Sequence, residues 1–124
     1  MPNTPLPHDH GQAVERILER VPSSAQFQLV ADIFKQLGDG SRIRIFWLLC
    51  HCEECVINLS AMVNMSSPAV SHHLRQLKAG NLIVSRREGK EVYYRAAGTQ
   101  QAQLLHHMIA HLVSITCPGD QPPL

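Results

Sequence analysis

Asn58 to Gly80 reads NLSAMVNMSSPAVSHHLRQLKAG, and its punctuation decides the fold. Asn58 to Val63 is a short helical run, and Asn64-Met65-Ser66 reads as a tight turn. Ser66-Ser67-Pro68 then opens the best-marked helix of the chain. Two hydroxyls are available to cap it, and proline falls in the first turn, where its missing N–H costs nothing. The spacing predicts a helix to Lys78 or Ala79, stopped by Gly80-Asn81. Val70, Leu74 and Leu77 recur on one face and turn toward a core. Ser67, Pro68, Ala69, Ser71 and His72 are short, mostly polar and free of acids, and they sit at the N-terminal end.

Downstream, Leu82 to Arg87 and Val92 to Ala96 are β-compatible runs around the hairpin tip Glu88-Gly89-Lys90. Two short helices joined by a tight turn, a capped polar helix and a basic hairpin follow the order of a winged helix-turn-helix. The expected class is mainly α with a small β-hairpin. In that architecture the second helix of the motif enters the major groove of DNA. Arg86, Arg87 and Lys90 then stand where a wing meets phosphate or the minor groove.

Upstream, residues 1–10 contain three prolines without apolar periodicity and read as a flexible arm. A short helix is predicted from Gln12 to Val21, ended by Pro22. Ser23 or Ser24 can cap the next, with Phe27, Val30, Ile33, Phe34 and Leu37 on its apolar face and Gly38-Asp39-Gly40 as its stop. Ser41 is expected to cap a helix from Arg42 to about Cys50. A last helix begins at Gly98-Thr99 and carries a broad apolar face from Leu104 to Ile115. The expected organisation is an arm at 1–10, one DNA-binding and dimerisation domain at 11–117, and a tail at 118–124.

Composition fits one small domain. The chain has 124 residues, 44% hydrophobic and 17% charged, with a formal net charge of +1. The neutral total hides a basic block: residues 66–95 hold six Lys and Arg against two Glu, whereas residues 1–40 are net negative. No run approaches the roughly 20 apolar residues that span a bilayer, and no signal peptide is visible, so the expectation is a cytoplasmic protein. Four Cys and eight His are many for this length. Three thiols fall in Cys50-His51-Cys52-Glu53-Glu54-Cys55, and clustered cysteines in a reducing compartment point to metal ligation or redox chemistry rather than disulfides.

LGDGSRIRI from Leu37, CVINL from Cys55, SSPAVSHHLRQL from Ser66 and GKEVYY from Gly89 together resemble the ArsR/SmtB family of metal- and metalloid-responsive bacterial repressors. The likeness spans about residues 25–115. It implies a homodimer through the first and last helices, bound to double-stranded operator DNA. Two recognition helices would then meet successive major grooves about 34 Å apart. Carried over by position, Ser67, Val70, Ser71, His72 and Arg75 lie at the DNA, beside Arg86, Arg87 and Lys90.

One sensing site of this family uses Cys-Val-Cys-Asp, often completed by the N-terminal arm. Here the stretch is Cys55-Val56-Ile57-Asn58, which keeps only the first ligand, but Cys50 and Cys52 lie just upstream and the arm offers His8 and His10. A C-x-C-x-x-C cluster can bend three thiolates around one soft ion at about 2.3 Å for zinc. Cd(II), Pb(II), Zn(II) and As(III) suit such ligands. The family's other site, on the last helix, survives only at His111, because Gly98, Gln100 and Ser114 occupy its other positions. A second-choice set is His107 and His111, four apart on one helix face, with Cys117 near. A different chemistry on the same fold is a reversible Cys50–Cys117 pair sensing persulfide or oxidant. No Ser/His/Asp arrangement, phosphate-binding glycine loop or His-Glu-x-x-His is present, so the reading is not an enzyme.

Overall fold

The computed structural model describes residues 6–117 and 119, so most of the expected tail lies outside the described residues. The chain divides at Asp32/Ile33 into two compact units. The first contains α1 (Val14–Arg20) and the start of α2 (Ser24–Gln36). Gln26 caps back onto Ser23: its Oε1 accepts from the Ser23 N–H, and Ser23 Oγ accepts from the Gln26 N–H. Neither α1 nor α2 buries a residue, and Phe34 of α2 is 58% exposed.

The second unit holds α3 (Gly40–Leu49), β1 (Glu54–Cys55), α4 (Val56–Val63), α5 (Ser67–Ala79), β2 (Ile83–Glu88), β3 (Glu91–Ala96) and α6 (Gln100–Thr116). Its core joins Ile45, Phe46 and Leu49 of α3, Leu59 and Val63 of α4, Val70, Leu74 and Leu77 of α5, Leu82 and Ile83, and Ala102 and Leu105 of α6. Burying a leucine or isoleucine fully is worth about 1.5–3 kcal/mol, so this cluster fixes α4 and α5 against α3.

Several features differ from the sequence reading: α1, expected from Gln12 to Val21, spans Val14–Arg20. Helix α3 starts at Gly40 because Asp39 caps it, accepting the Arg42 N–H at 3.0 Å; Ser41 is already inside the helix. Helix α4 starts at Val56 rather than Asn58. The hairpin is part of a three-stranded antiparallel sheet, order β1-β3-β2, because Glu54 and Cys55 pair with Tyr94 and Tyr93. The wing itself has the expected form. Glu88 pairs with Glu91, leaving Gly89-Lys90 as a two-residue turn. Gly89 has φ +62°, at the position that type II′ turns reserve for glycine.

Helix α6 is capped by Thr99, whose Oγ1 accepts the Ala102 N–H at 3.1 Å. It buries Ala102, Leu105 and Ala110 but leaves Leu104, Leu112 and Ile115 exposed. No described helix is long and apolar enough to cross a membrane.

Candidate functional site

The helix-turn-helix is made by α4, a left-handed residue and α5. Asn64 ends α4 with φ 54° and ψ 51°, an αL conformation that asparagine tolerates. Ser66 caps α5, its Oγ accepting the Ala69 N–H, and Pro68 occupies the first turn. Ser67 and His72 are exposed, Ser71 is half-buried and Arg75 is exposed, so these side chains share the accessible side of α5. Ser67 Oγ lies 3.2 Å from Ser60 Oγ, which ties the helix start to α4. Val70 is 0% exposed, which corrects its assignment to DNA contact. It points into the core with Leu74 and Leu77 and holds the helix rather than touching a groove.

A polar tie that the sequence did not reveal anchors the same helix. His73 is 8% exposed, and Arg42 Nε donates to its Nδ1 at 3.3 Å. That contact puts the ring proton on Nε2, which faces Asp39 Oδ1 at 3.8 Å. Arg42 also donates to the Gln36 carbonyl. Burial lowers the pKa of His73 below the ordinary imidazole value, with Asp39 opposing. The Arg42 N–H holds the Asp39 carboxyl below its usual range. The residue that caps α3 therefore also faces the buried histidine of α5.

On the wing, the three expected cations behave differently. Arg86 is committed: its guanidinium donates to Glu53 Oε1 at 2.7 and 2.9 Å and to Glu88 Oε2 at 2.6 Å, and lies 4.8 Å over the Tyr93 ring. These bonds raise the Arg86 pKa, and the same contact lowers that of Glu53. Arg87 and Lys90 are exposed, and among the described residues Arg87 donates only to the carbonyl of Gly89. Lys78 Nζ donates to Ser85 Oγ at 2.7 Å, joining the end of α5 to β2.

The cysteines are close in sequence but differently placed. Cys50 is the half-buried C-cap of α3, and burial pushes its thiol up to about 11. Cys52 is half-buried with its Sγ donating to the Leu48 carbonyl at 3.2 Å; burial and then Glu54 raise its pKa. Cys55 is buried opposite Tyr93 in the sheet. Among the described residues, no three His, Cys, Asp or Glu side chains stand close enough to hold one metal ion. His8 and His10, in the first unit, stack with ring centroids 5.9 Å apart. His107 and His111 are exposed on α6, and Cys117 is exposed at its end.

Residues 39–85, which hold α3, the helix-turn-helix and the start of the wing, match the family described as bacterial regulatory protein, arsR family. The chain is 37% identical over 112 residues to a protein named Transcriptional repressor SmtB homolog from Synechocystis sp., covering 90% of this chain and 85% of that one. It is 36% identical over 91 residues to a cadmium resistance regulatory protein CadC homolog from Staphylococcus aureus, covering 73% and 75%. Among solved structures, a homodimeric winged helix-turn-helix DNA-binding domain from Mycobacterium bovis aligns with a TM-score of 0.68 and 28% identity, covering 84% of this chain and 98% of that one. The capped recognition helix, the wing and these likenesses agree: the chain belongs to the ArsR family of bacterial regulatory proteins.

Proposed function

We propose that the chain is a transcriptional repressor that binds a palindromic operator as a homodimer and releases it when a soft metal or metalloid ion engages the Cys50–Cys55 loop. The observation that carries the DNA reading is the outward set of α5 and the wing. Ser67, Ser71, His72 and Arg75 share the free side of a core-locked helix, and Arg87 and Lys90 are exposed beside it. Hydroxyls and imidazole read base edges, while the cations hold phosphate. The exposed apolar residues of α2 and α6 support dimerisation, as does the homodimeric relative. Relatives named for cadmium resistance and, in Escherichia coli, for an arsenical resistance operon support a soft-ion effector.

The thiols do not converge as they stand. Ligation by all three requires Cys52 to leave the Leu48 carbonyl and Cys55 to leave its place beside β3. Cys55 is the residue immediately before α4, so displacing it pulls on the helix-turn-helix itself. A coupling of about 1–3 kcal/mol between ion and DNA is ordinary for such an arrangement. His8 and His10 are candidates to complete the ion's shell. A reversible Cys50–Cys117 redox pair is the second reading, with Cys50 half-buried and Cys117 exposed.

Operator binding followed by fluorescence anisotropy tests the reading, on reduced protein titrated with Cd(II), Zn(II), Pb(II) and As(III). The expected result is release by at least one ion that disappears in Cys52→Ser/Cys55→Ser. Release that persists in that variant would move the sensing site to His107 and His111. Indifference to every ion, with loss of DNA on mild oxidation, would replace metal sensing by a thiol switch.

A further inference from the structure

His51 follows the C-cap of α3, and His106 lies in the second turn of α6, 55 residues away in sequence. Their Nε2 atoms are nevertheless 2.9 Å apart. The rings meet edge to face at 69°, with centroids 4.8 Å apart. At that separation one Nε2 carries the hydrogen that the other accepts, so the two nitrogens share a single proton position. Trp47 braces the pair, with its ring centroid 4.2 Å from that of His51 and 6.5 Å from that of His106. His106 also lines a cavity of about 360 Å³ together with Cys50, Cys52, Glu53 and Gln103.

We propose that His51 and His106 form a two-imidazole site for a borderline divalent cation of the Zn(II) class. Two nitrogens each 2.0–2.1 Å from a tetrahedral ion stand about 3.3 Å apart. An opening of about 0.4 Å, with a swing of both rings that aims their Nε2 lone pairs at one point off the line between them, turns the hydrogen-bonded pair into a ligating one. The donor ring moves its hydrogen from Nε2 to Nδ1, so both Nε2 lone pairs reach the ion and a neutral pair releases no net proton. Imidazole pairs suit Zn(II), Ni(II), Co(II) and Cu(II) better than hard ions. Among the described residues no third His, Cys, Asp or Glu is close enough to complete the set, so water fills the remaining positions and the ion stays exchangeable. The site links the start of the Cys50–Cys55 loop to α6, whose outer face is apolar and exposed. It stands on geometry alone and does not depend on the cysteines acting as ligands.

The protein contains one tryptophan, and it packs on His51, so its emission reports directly on a paramagnetic ion held there. The full-length reduced protein is titrated with Co(II) in the absence of DNA, following Trp47 emission and visible absorption. The expected result is saturable quenching, reversed by Zn(II), whose midpoint is independent of any thiolate-to-cobalt charge-transfer band from the Cys50–Cys55 loop. His51→Gln and His106→Gln should each weaken it by more than about tenfold, with far-UV circular dichroism unchanged. Cys52→Ser/Cys55→Ser should leave it intact. If that variant does not fold, the wild-type titration decides: quenching that saturates independently of any thiolate-to-cobalt band from the Cys50–Cys55 loop supports the site, and quenching that rises only in step with that band overturns it. Absence of quenching in wild-type protein overturns the proposal. So does quenching that survives both histidine substitutions or vanishes in the folded cysteine variant.

Discussion

Helix α5 with its wing and the loop from Cys50 to Cys55 are neighbours in the chain and are built on opposite terms. Every side of α5 that does not face outward is tied down: Val70, Leu74 and Leu77 in the core, His73 on Arg42, Lys78 on Ser85, and Ser66 on its own first turn. The loop is held at Glu53 by Arg86 and at His51 by His106, but its three thiols are free, with one sulfur contact to the backbone and a strand of only two residues. A DNA reader gains from preorganisation, because a fixed helix spends no binding energy on ordering itself. A sensor needs a second arrangement within reach, because an ion shifts an equilibrium only by its differential affinity for two states. The contrast assigns rigidity to reading and adaptability to sensing.

The largest effect that bears on this contrast is expected in the core of α5. Leu74→Ala removes a fully enclosed side chain and should cost about 2–5 kcal/mol in urea unfolding, with DNA binding lost in step. The equivalent truncation in the loop, Cys52→Ala, should cost under about 1 kcal/mol, because it removes one weak sulfur hydrogen bond and little buried surface. Equal losses at the two sites would erase the distinction.

On the wing, Arg87→Ala and Lys90→Ala should each lower operator affinity and reduce the slope of log K against log salt by about 0.9. Arg86→Ala should change the salt slope less, since its guanidinium is already held by Glu53 and Glu88. A full loss of slope on removing Arg86 would show that its ion pairs open at DNA.

A smaller effect concerns His73. Its native pKa is depressed by burial, so the unfolded chain binds the proton more readily. The stability it contributes is therefore present above its ordinary value near 6.5 and is lost as pH falls through the lower native value. Protonation also places an N–H on Nδ1 against the Arg42 donor. The wild-type melting temperature should fall from about pH 7 to about pH 5 more steeply than that of His73→Gln. Parallel curves would remove His73 from the anchoring of α5.

Among the thiols, Cys117 is exposed whereas the Cys50 thiol is half-buried and pushed up to about 11, so iodoacetamide at neutral pH should label Cys117 well before Cys50. Mass spectrometry of the alkylated peptides checks the order, and labelling of Cys50 first would mean that the loop opens readily without metal.

What the sequence made legible was local. The Ser66 cap, the stop after Ala79 and the Gly89 turn each depend on residues a few positions apart, and each stands where the pattern placed it. What escaped was long-range or a matter of which face a residue takes. Strand β1 exists because Glu54 and Cys55 meet Tyr94 and Tyr93, a pairing that two residues cannot announce. The Arg42–His73 contact spans 31 residues, and that of His51 with His106 spans 55. Val70 shows a different failure: position within a motif suggested a DNA contact, whereas the helical period already put it on the core face with Leu74 and Leu77. Ser41 lost the cap of α3 to Asp39 because both are good capping residues, and the sequence did not distinguish them.

Amide hydrogen exchange on the full chain, with and without saturating Cd(II), tests most directly whether sensing and reading are divided in this way. The expected result is altered protection confined to residues 50–58, with the amides of α5 from Val70 to Leu77 equally protected in both states. Loss of protection within α5 on adding the ion would contradict the division, because the reading helix would then itself be the element that melts.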